Sequence, residues 1–287
     1  MRTLIIGCGY VGLELGKELA DAGHEVYGVS RHPNREQLQA TGIKPLAGDI
    51  TKPEQLTALP ANYDWVINCV SSAGGDIEDY RAVYLEGTRN LLRWLEPSPP
   101  QKFVYTSSTS IYGQMDGSVV DEDSPSEPTS DTAKVLVAAE KLLSEAAARS
   151  QFPAVILRVA GIYGPERGYW FRQYLRNEAR IEGDGSRFLN MIHRDDVAAT
   201  IIAALNKGCP GEVYNAVDDE PVTQLAFFQW LAKQLGKDLP PTVPESSTQQ
   251  RKRGITNKKV SNRKLKNELG YQFKYPTFRE GYAAEIA

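Results

Sequence analysis

Histidine and cysteine are both scarce in this 287-residue chain. His24, His32 and His193 lie far apart, as do Cys8, Cys69 and Cys209, and no spacing among them would gather a metal ion. An odd number of cysteines outside any framework reads as reduced thiols, and so as a cytoplasmic protein. No apolar run approaches the roughly 20 residues that span a bilayer. A first strand that begins almost at Met1 leaves no space for a charged leader and an apolar signal segment. Basic charge is not in excess: 33 Lys and Arg stand against 36 Asp and Glu, a net charge of −3. That balance argues against a dedicated nucleic-acid binder. What remains is a soluble chain long enough to bury a large core as one α/β unit or two lobes.

The positive signal lies at the start. Residues 4 to 12 read Leu-Ile-Ile-Gly7-Cys-Gly9-Tyr10-Val11-Gly12, a β-branched strand running into Gly-x-Gly-x-x-Gly and then into a helical pattern. Each glycine has a mechanical task in a dinucleotide site. Gly7 permits the tight turn, Gly9 lets the backbone approach a pyrophosphate, and Gly12 lets helix and strand pack closely. The helix N-terminus then points at phosphate charge. Strands are expected at Thr3–Ile6, Glu25–Val29, Trp65–Val70, Lys102–Thr106 and Ala154–Val159. Helices are expected at Val11–Ala22, Tyr80–Leu95 and Ala133–Ala148. Short apolar strands separated by helices predict a Rossmann-type, doubly wound parallel sheet, with ligands beyond the carboxyl ends of the strands. The loops after Ile6, Val29, Val70 and Thr106 should converge, which brings Val70, Ser71 and Ser107 toward the cofactor. Residues 1–160 read as the dinucleotide-binding domain and 161–287 as a smaller substrate lobe, interleaved with it.

The second strand ends in Ser30-Arg31-His32, with Arg35 close behind and no carboxylate where an NAD site keeps one for the ribose 2′-hydroxyl. An Arg there can pair with a 2′-phosphate, so NADP is the expected cofactor, with NAD as the alternative. Asp49, before Ile50, could meet the adenine amino group or cap a turn. The segment Gly113–Ser130 holds five carboxylates, two prolines and no basic residue. It reads as a solvated loop, the other reading being a flap over the site.

Several segments together resemble the extended short-chain dehydrogenase/reductase superfamily of NAD-dependent epimerases and dehydratases. They are Lys102–Gly113 with its Ser107-Ser108 and Tyr112-Gly113, Val155–Pro165 with Arg158 and Tyr163-Gly164-Pro165, Ile192–Val197, Glu212–Ala216, and Ser261–Leu265 followed by Leu269-Gly270-Tyr271. The resemblance implies a Ser, a Tyr and a Lys that exchange a proton beside the nicotinamide, and a substrate that is a nucleotide-linked sugar or another carbonyl compound. Ser108 takes the Ser role, touching substrate as well. Pro128 and Glu140 align the following helix so that Thr132 falls where the Tyr belongs and Leu136 where the Lys belongs. Lys134 cannot substitute, because two helical residues rotate the side chain by about 200°. The family's Gly-x-x-Gly-x-x-Gly is shortened, Tyr84 replaces an expected Asn before Gly87-Thr88, and Asn68-Cys69-Val70-Ser71-Ser72 replaces a small apolar stretch. These departures resemble the atypical branch, which holds both rearranged enzymes and cofactor-sensing proteins without turnover.

Tyr84 is therefore a candidate catalytic group, while Tyr163 is a candidate substrate contact that packing would also explain. His193 is expected at a helix N-terminus with an Asp as the cap. The tail Arg251–Lys266 carries eight basic residues in sixteen. It reads as a solvated face, or through Arg251 or Arg253 as a clamp on substrate phosphate, for which Arg167, Arg172 and Arg187 are further candidates. A homodimer through the two long sheet helices is implied by the resemblance, and neither nucleic acid nor membrane is an expected partner.

Overall fold

A computed structural model describes residues 1–72, 75–244 and 256–286. Seven parallel strands make the central sheet: β1 (Arg2–Ile6), β2 (Glu25–Ser30), β3 (Ile43–Ala47), β4 (Trp65–Asn68), β5 (Lys102–Ser108), β6 (Ala154–Val159) and β7 (Val213–Ala216). Their order is β7-β6-β5-β4-β1-β2-β3. The chain winds one way from β1 to β3 and the other way from β4 onward, so a crevice opens between β1 and β4. The doubly wound sheet expected from the sequence is present. β7, drawn from beyond residue 160, completes it at one edge.

Strand alternation feeds two cores. Ile5 and Val104 point to the face covered by helices Tyr10–Asp21 and Arg194–Lys207. Leu4, Ile6, Phe103 and Tyr105 point to the opposite face, under Leu91 and Leu95 and under Ala139 and Leu143 of helix Asp131–Ser150. Both faces are apolar because both are covered. The helix expected at Tyr80–Leu95 starts earlier, at Ile77, where the Asp76 side chain accepts the Asp79 N–H. Its middle part, Arg81–Glu86, has π-helical hydrogen bonding.

The acidic segment Gly113–Ser130 is more than a solvated loop. Val119–Val120 pairs in parallel with Lys259–Val260, and the Glu122 carboxylate accepts the Asn215 N–H at 2.6 Å. His193 is itself the cap of helix Arg194–Lys207, its Nδ1 accepting the Asp195 N–H, so the cap is the ring and not an Asp. The sequence could not distinguish these, since both residue types accept from a first-turn amide.

One buried ion pair sets the position of helix Asp131–Ser150. Arg158 on β6 donates to Glu140 through Nη2 at 2.9 Å and Nε at 3.1 Å, with both side chains 8 % exposed. Ser107 on β5 also donates to Glu140, and Arg158 Nη1 donates to the Tyr112 hydroxyl at 2.7 Å. Tyr112 in turn donates to Asn215 on β7 at 2.9 Å. Removing one member strands the other charge. Glu140→Ala is expected to cost about 3–5 kcal/mol in urea unfolding, and Glu140→Leu with Arg158→Met much less than the two single changes summed. A loss below about 1 kcal/mol for Glu140→Ala would show that the pair does not hold the helix.

Candidate functional site

The turn after β1 is bound to the end of β2: the Gly7 and Cys8 amides both donate to the Val29 carbonyl, at 2.9 and 3.2 Å. Gly7 has φ +89°, and a Cβ there would sit 2.7 Å from the Cys69 and Val70 backbone. Gly12 packs its helix on the turn, where a Cβ would lie 2.6 Å from the Gly7 carbonyl. Gly9 is different, because a Cβ there would meet nothing within 4 Å. The turn therefore leaves open space where a pyrophosphate would approach. Helix Tyr10–Asp21 begins beside it with no side-chain cap. An uncapped helix N-terminus at an open glycine is an anion site, so the residues present fit a dinucleotide.

A cleft of ≈ 670 Å³ opens there, at the carboxyl ends of the strands. Of the residues expected at the cofactor, Gly7, Gly9, Tyr10, Val11, Ser30, Arg31, Asp49, Ile50, Val70, Ser71 and Ser107 all line it. Arg31 is exposed and presents its charge at the end of β2, where no carboxylate follows. Asp49 lines the cleft while its Oδ1 accepts both the Thr51 amide and hydroxyl, so it closes a turn from the cleft wall. Arg35 does not line the cleft: it opens helix Arg35–Ala40, and Asn34 and Gln37 hold the wall instead. Asn34 is the cap of that helix, a role its residue type signals in the sequence.

At its β5 end the cleft is walled by Ser108, Leu136, Tyr84 and Thr106. Thr132 lines neither cavity described here; it sits in the capping turn, its hydroxyl oxygen 3.3 Å from that of Ser130. Placed in the first turn after the Ser130 cap, it is not among the groups gathered in the cleft. Lys134 is exposed and bound to Asp131 at 2.8 Å. Tyr84 is buried in the π-helical segment, with its hydroxyl 3.4 Å from the Ser72 amide that donates to it. π segments often occur where a helix shapes a site.

Ser108 also belongs to a second cavity of ≈ 300 Å³, with Tyr163, Trp170, Arg187, Asn190 and Lys258. Tyr163 stacks on Tyr282 at 4.4 Å and donates to the Thr277 carbonyl, so packing and a place on the cavity wall coexist. Arg172 is exposed and donates to the Glu166 carbonyl, away from both cavities. Arg251 and Arg253 lie outside the described residues. Lys258 escaped the sequence reading because it sits in a basic run that looked solvated, and it is 4 % exposed.

The second half of the chain grips the glycine turn. Tyr10 donates to the Pro165 carbonyl at 2.9 Å, and Arg194 pairs with Glu14 at 2.9 Å. Behind Tyr10, His193 packs against the rings of Tyr163 and Tyr275, and burial lowers its pKa to about 4. Its Nδ1 must stay unprotonated to cap the helix. The unfolded chain takes up this proton near pH 6.5 and the native protein only near 4. The contribution is therefore complete above about 6.5 and is lost as pH falls toward 4. His193→Asn, which keeps a cap, is expected to flatten the fall of the urea midpoint between pH 6.5 and 4. Equal slopes in both proteins would contradict this.

Fold and cleft define a Rossmann-type dinucleotide-binding protein. Residues 3–216 match the model of the NAD dependent epimerase/dehydratase family, and the chain belongs to that family. Among curated proteins it is 25 % identical to Protein YeeZ of Escherichia coli (strain K12) over 285 residues, 96 % of each chain. It is 28 % identical to the 2-alkyl-3-oxoalkanoate reductase of Shewanella oneidensis over 244 residues, 78 % of this chain and 63 % of the relative. Among solved structures, the dTDP-glucose 4,6-dehydratase of Bacillus anthracis in complex with NAD superposes with TM-score 0.85, covering 100 % of this chain and 95 % of that one at 21 % identity. No helix among the described residues is long and apolar enough to cross a membrane.

Proposed function

We propose that this protein is an NADP(H)-dependent oxidoreductase or epimerase, acting on a nucleotide-sugar-like or other carbonyl substrate without the family's Tyr/Lys pair. The observation that carries the reading is the position of Ser108, which lines both the dinucleotide cleft and the second cavity. A substrate oxygen at Ser108 would thus lie where cofactor and substrate spaces meet. The bound cofactor would supply hydride chemistry. Ser108 accepts the Ser110 N–H at 3.2 Å, which leaves its own O–H to hold the substrate oxygen. Gly9 and the first turn of its helix would hold the pyrophosphate, and Leu136 would shield the nicotinamide side from water. The Shewanella relative is named for an oxoalkanoate, and by that likeness the substrate need not be a sugar.

Arg31 supports NADP over NAD. Arg31→Ala is expected to weaken NADP binding by about ten- to a hundredfold, the worth of one charge-assisted hydrogen bond, and to leave NAD nearly unchanged in calorimetric titration. Equal losses for both cofactors would remove Arg31 from the 2′-phosphate.

Leu136 favours a second reading, a protein that senses NADP(H) without turnover. An aliphatic side chain exchanges no proton, and helix Asp131–Ser150 contains no tyrosine. The two readings separate at 340 nm with a panel of nucleotide sugars and simple carbonyl compounds. Turnover that falls about a hundredfold or more in Ser108→Ala establishes the enzyme. Tight cofactor binding with no turnover on the whole panel favours the sensor.

A further inference from the structure

Lys258 is a buried cation that the dinucleotide reading does not use. Its backbone is fixed from both sides: its carbonyl accepts the Asn190 Nδ2–H at 3.0 Å, and the Val260 amide donates to Asn190 Oδ1 at 2.8 Å. Asn257 accepts the Phe188 N–H at 3.0 Å, and Lys259–Val260 pairs with Val119–Val120. With the strand so held, Lys259 points outward over the Phe188 ring and Lys258 points in. The Lys258 Nζ donates to the Tyr112 carbonyl at 2.9 Å and to the Thr256 hydroxyl at 2.8 Å. Both partners are neutral, and an ammonium has a third donor.

A buried cation without a counter-charge is costly. Among the described residues no carboxylate pairs with Lys258, and none lines its cavity. Burial pulls its pKa down, to about 8, and no described carboxylate restores it. The cavity's other cation, Arg187, is paired with Glu182 at 3.3 Å. The chain as a whole is acidic, so this basic pocket is local. The described walls enclose ≈ 300 Å³ and include both Ser108 and Lys258. One compact molecule would therefore reach both.

We propose that Lys258 anchors an oxyanion carried by the reacting part of the substrate, so that this cavity selects a compact hydroxy or oxo acid. The inference rests on the reading that Ser108 meets the substrate oxygen. The carboxylate lies against the ammonium, and the carbonyl or hydroxyl carbon lies at Ser108, facing the dinucleotide cleft. A nucleotide diphosphate held elsewhere in the lobe has no need of this charge.

The test is calorimetric, on the full chain saturated with NADP+, with acetoacetate, its methyl ester and UDP-glucose as probes. Wild type is expected to bind acetoacetate about tenfold or more tightly than the ester, as a charge-assisted contact requires. Lys258→Met should abolish that preference and Lys258→Arg should retain part of it. The NADP+ affinity, titrated separately into the cofactor-free proteins, should stay within about twofold in both variants, which shows that the fold survives. Equal affinity for acid and ester in wild type, no binding of the acid, or a preference that persists in Lys258→Met overturns the proposal. UDP-glucose binding tightly and equally in wild type and Lys258→Met overturns it in favour of a diphosphate held elsewhere. Acid preference without turnover supports the anchor while counting against the enzyme, so the two readings fail separately.

Discussion

The arrangement of the site depends on the buried contact between Glu140 and Arg158. Helix Asp131–Ser150 has an apolar face that could slide along the sheet, since hydrophobic contact has no direction. A bidentate pair at 8 % exposure does have one. It ties the helix to β6, and through Ser107 to β5 and through Tyr112 and Asn215 to β7. Once Glu140 is placed, Leu136 one turn earlier is directed into the cleft, and Thr132 is left in the capping turn. The same contact that keeps the fold's register therefore decides which side chains of this helix face the cleft.

The dinucleotide half was legible in the sequence because its determinants are local. A strand, a turn and a helix within about twenty residues fix Gly7, Gly9 and Gly12, and no distant contact is needed to read them. The lack of a carboxylate after Val29 was equally local. β7 was harder to read. Tyr214 and Asn215 interrupt its apolar character, and Asn215 is acceptable in a sheet only because Tyr112 and Ser261 satisfy its amide. The acidic segment read as solvent-facing because its partners, Lys259–Val260 and the Asn215 amide, lie more than ninety residues away.

The second cavity was the least legible, for the same reason. Lys258 differs from its neighbour Lys259 in no local property; distant contacts, the Asn190 hydrogen bonds and the pairing with Val119–Val120, hold the strand that turns one inward and the other outward. Arg172 had the right charge and the wrong direction, being turned to the Glu166 carbonyl. A site built from several loops is visible in composition only as a list of residue types. Geometry selects among them.

Binding a dinucleotide and moving a hydride are thus separate properties in this chain, and the cleft argues more strongly for the first. The most direct measurement is a crystal structure with NADP+ bound. The pyrophosphate is expected against Gly9 and the first turn of helix Tyr10–Asp21, with the nicotinamide ribose beside Leu136 and Ser108. No tyrosine or lysine from helix Asp131–Ser150 should reach that ribose. A dinucleotide bound elsewhere, or a Lys134 ammonium swung onto the ribose, would contradict it.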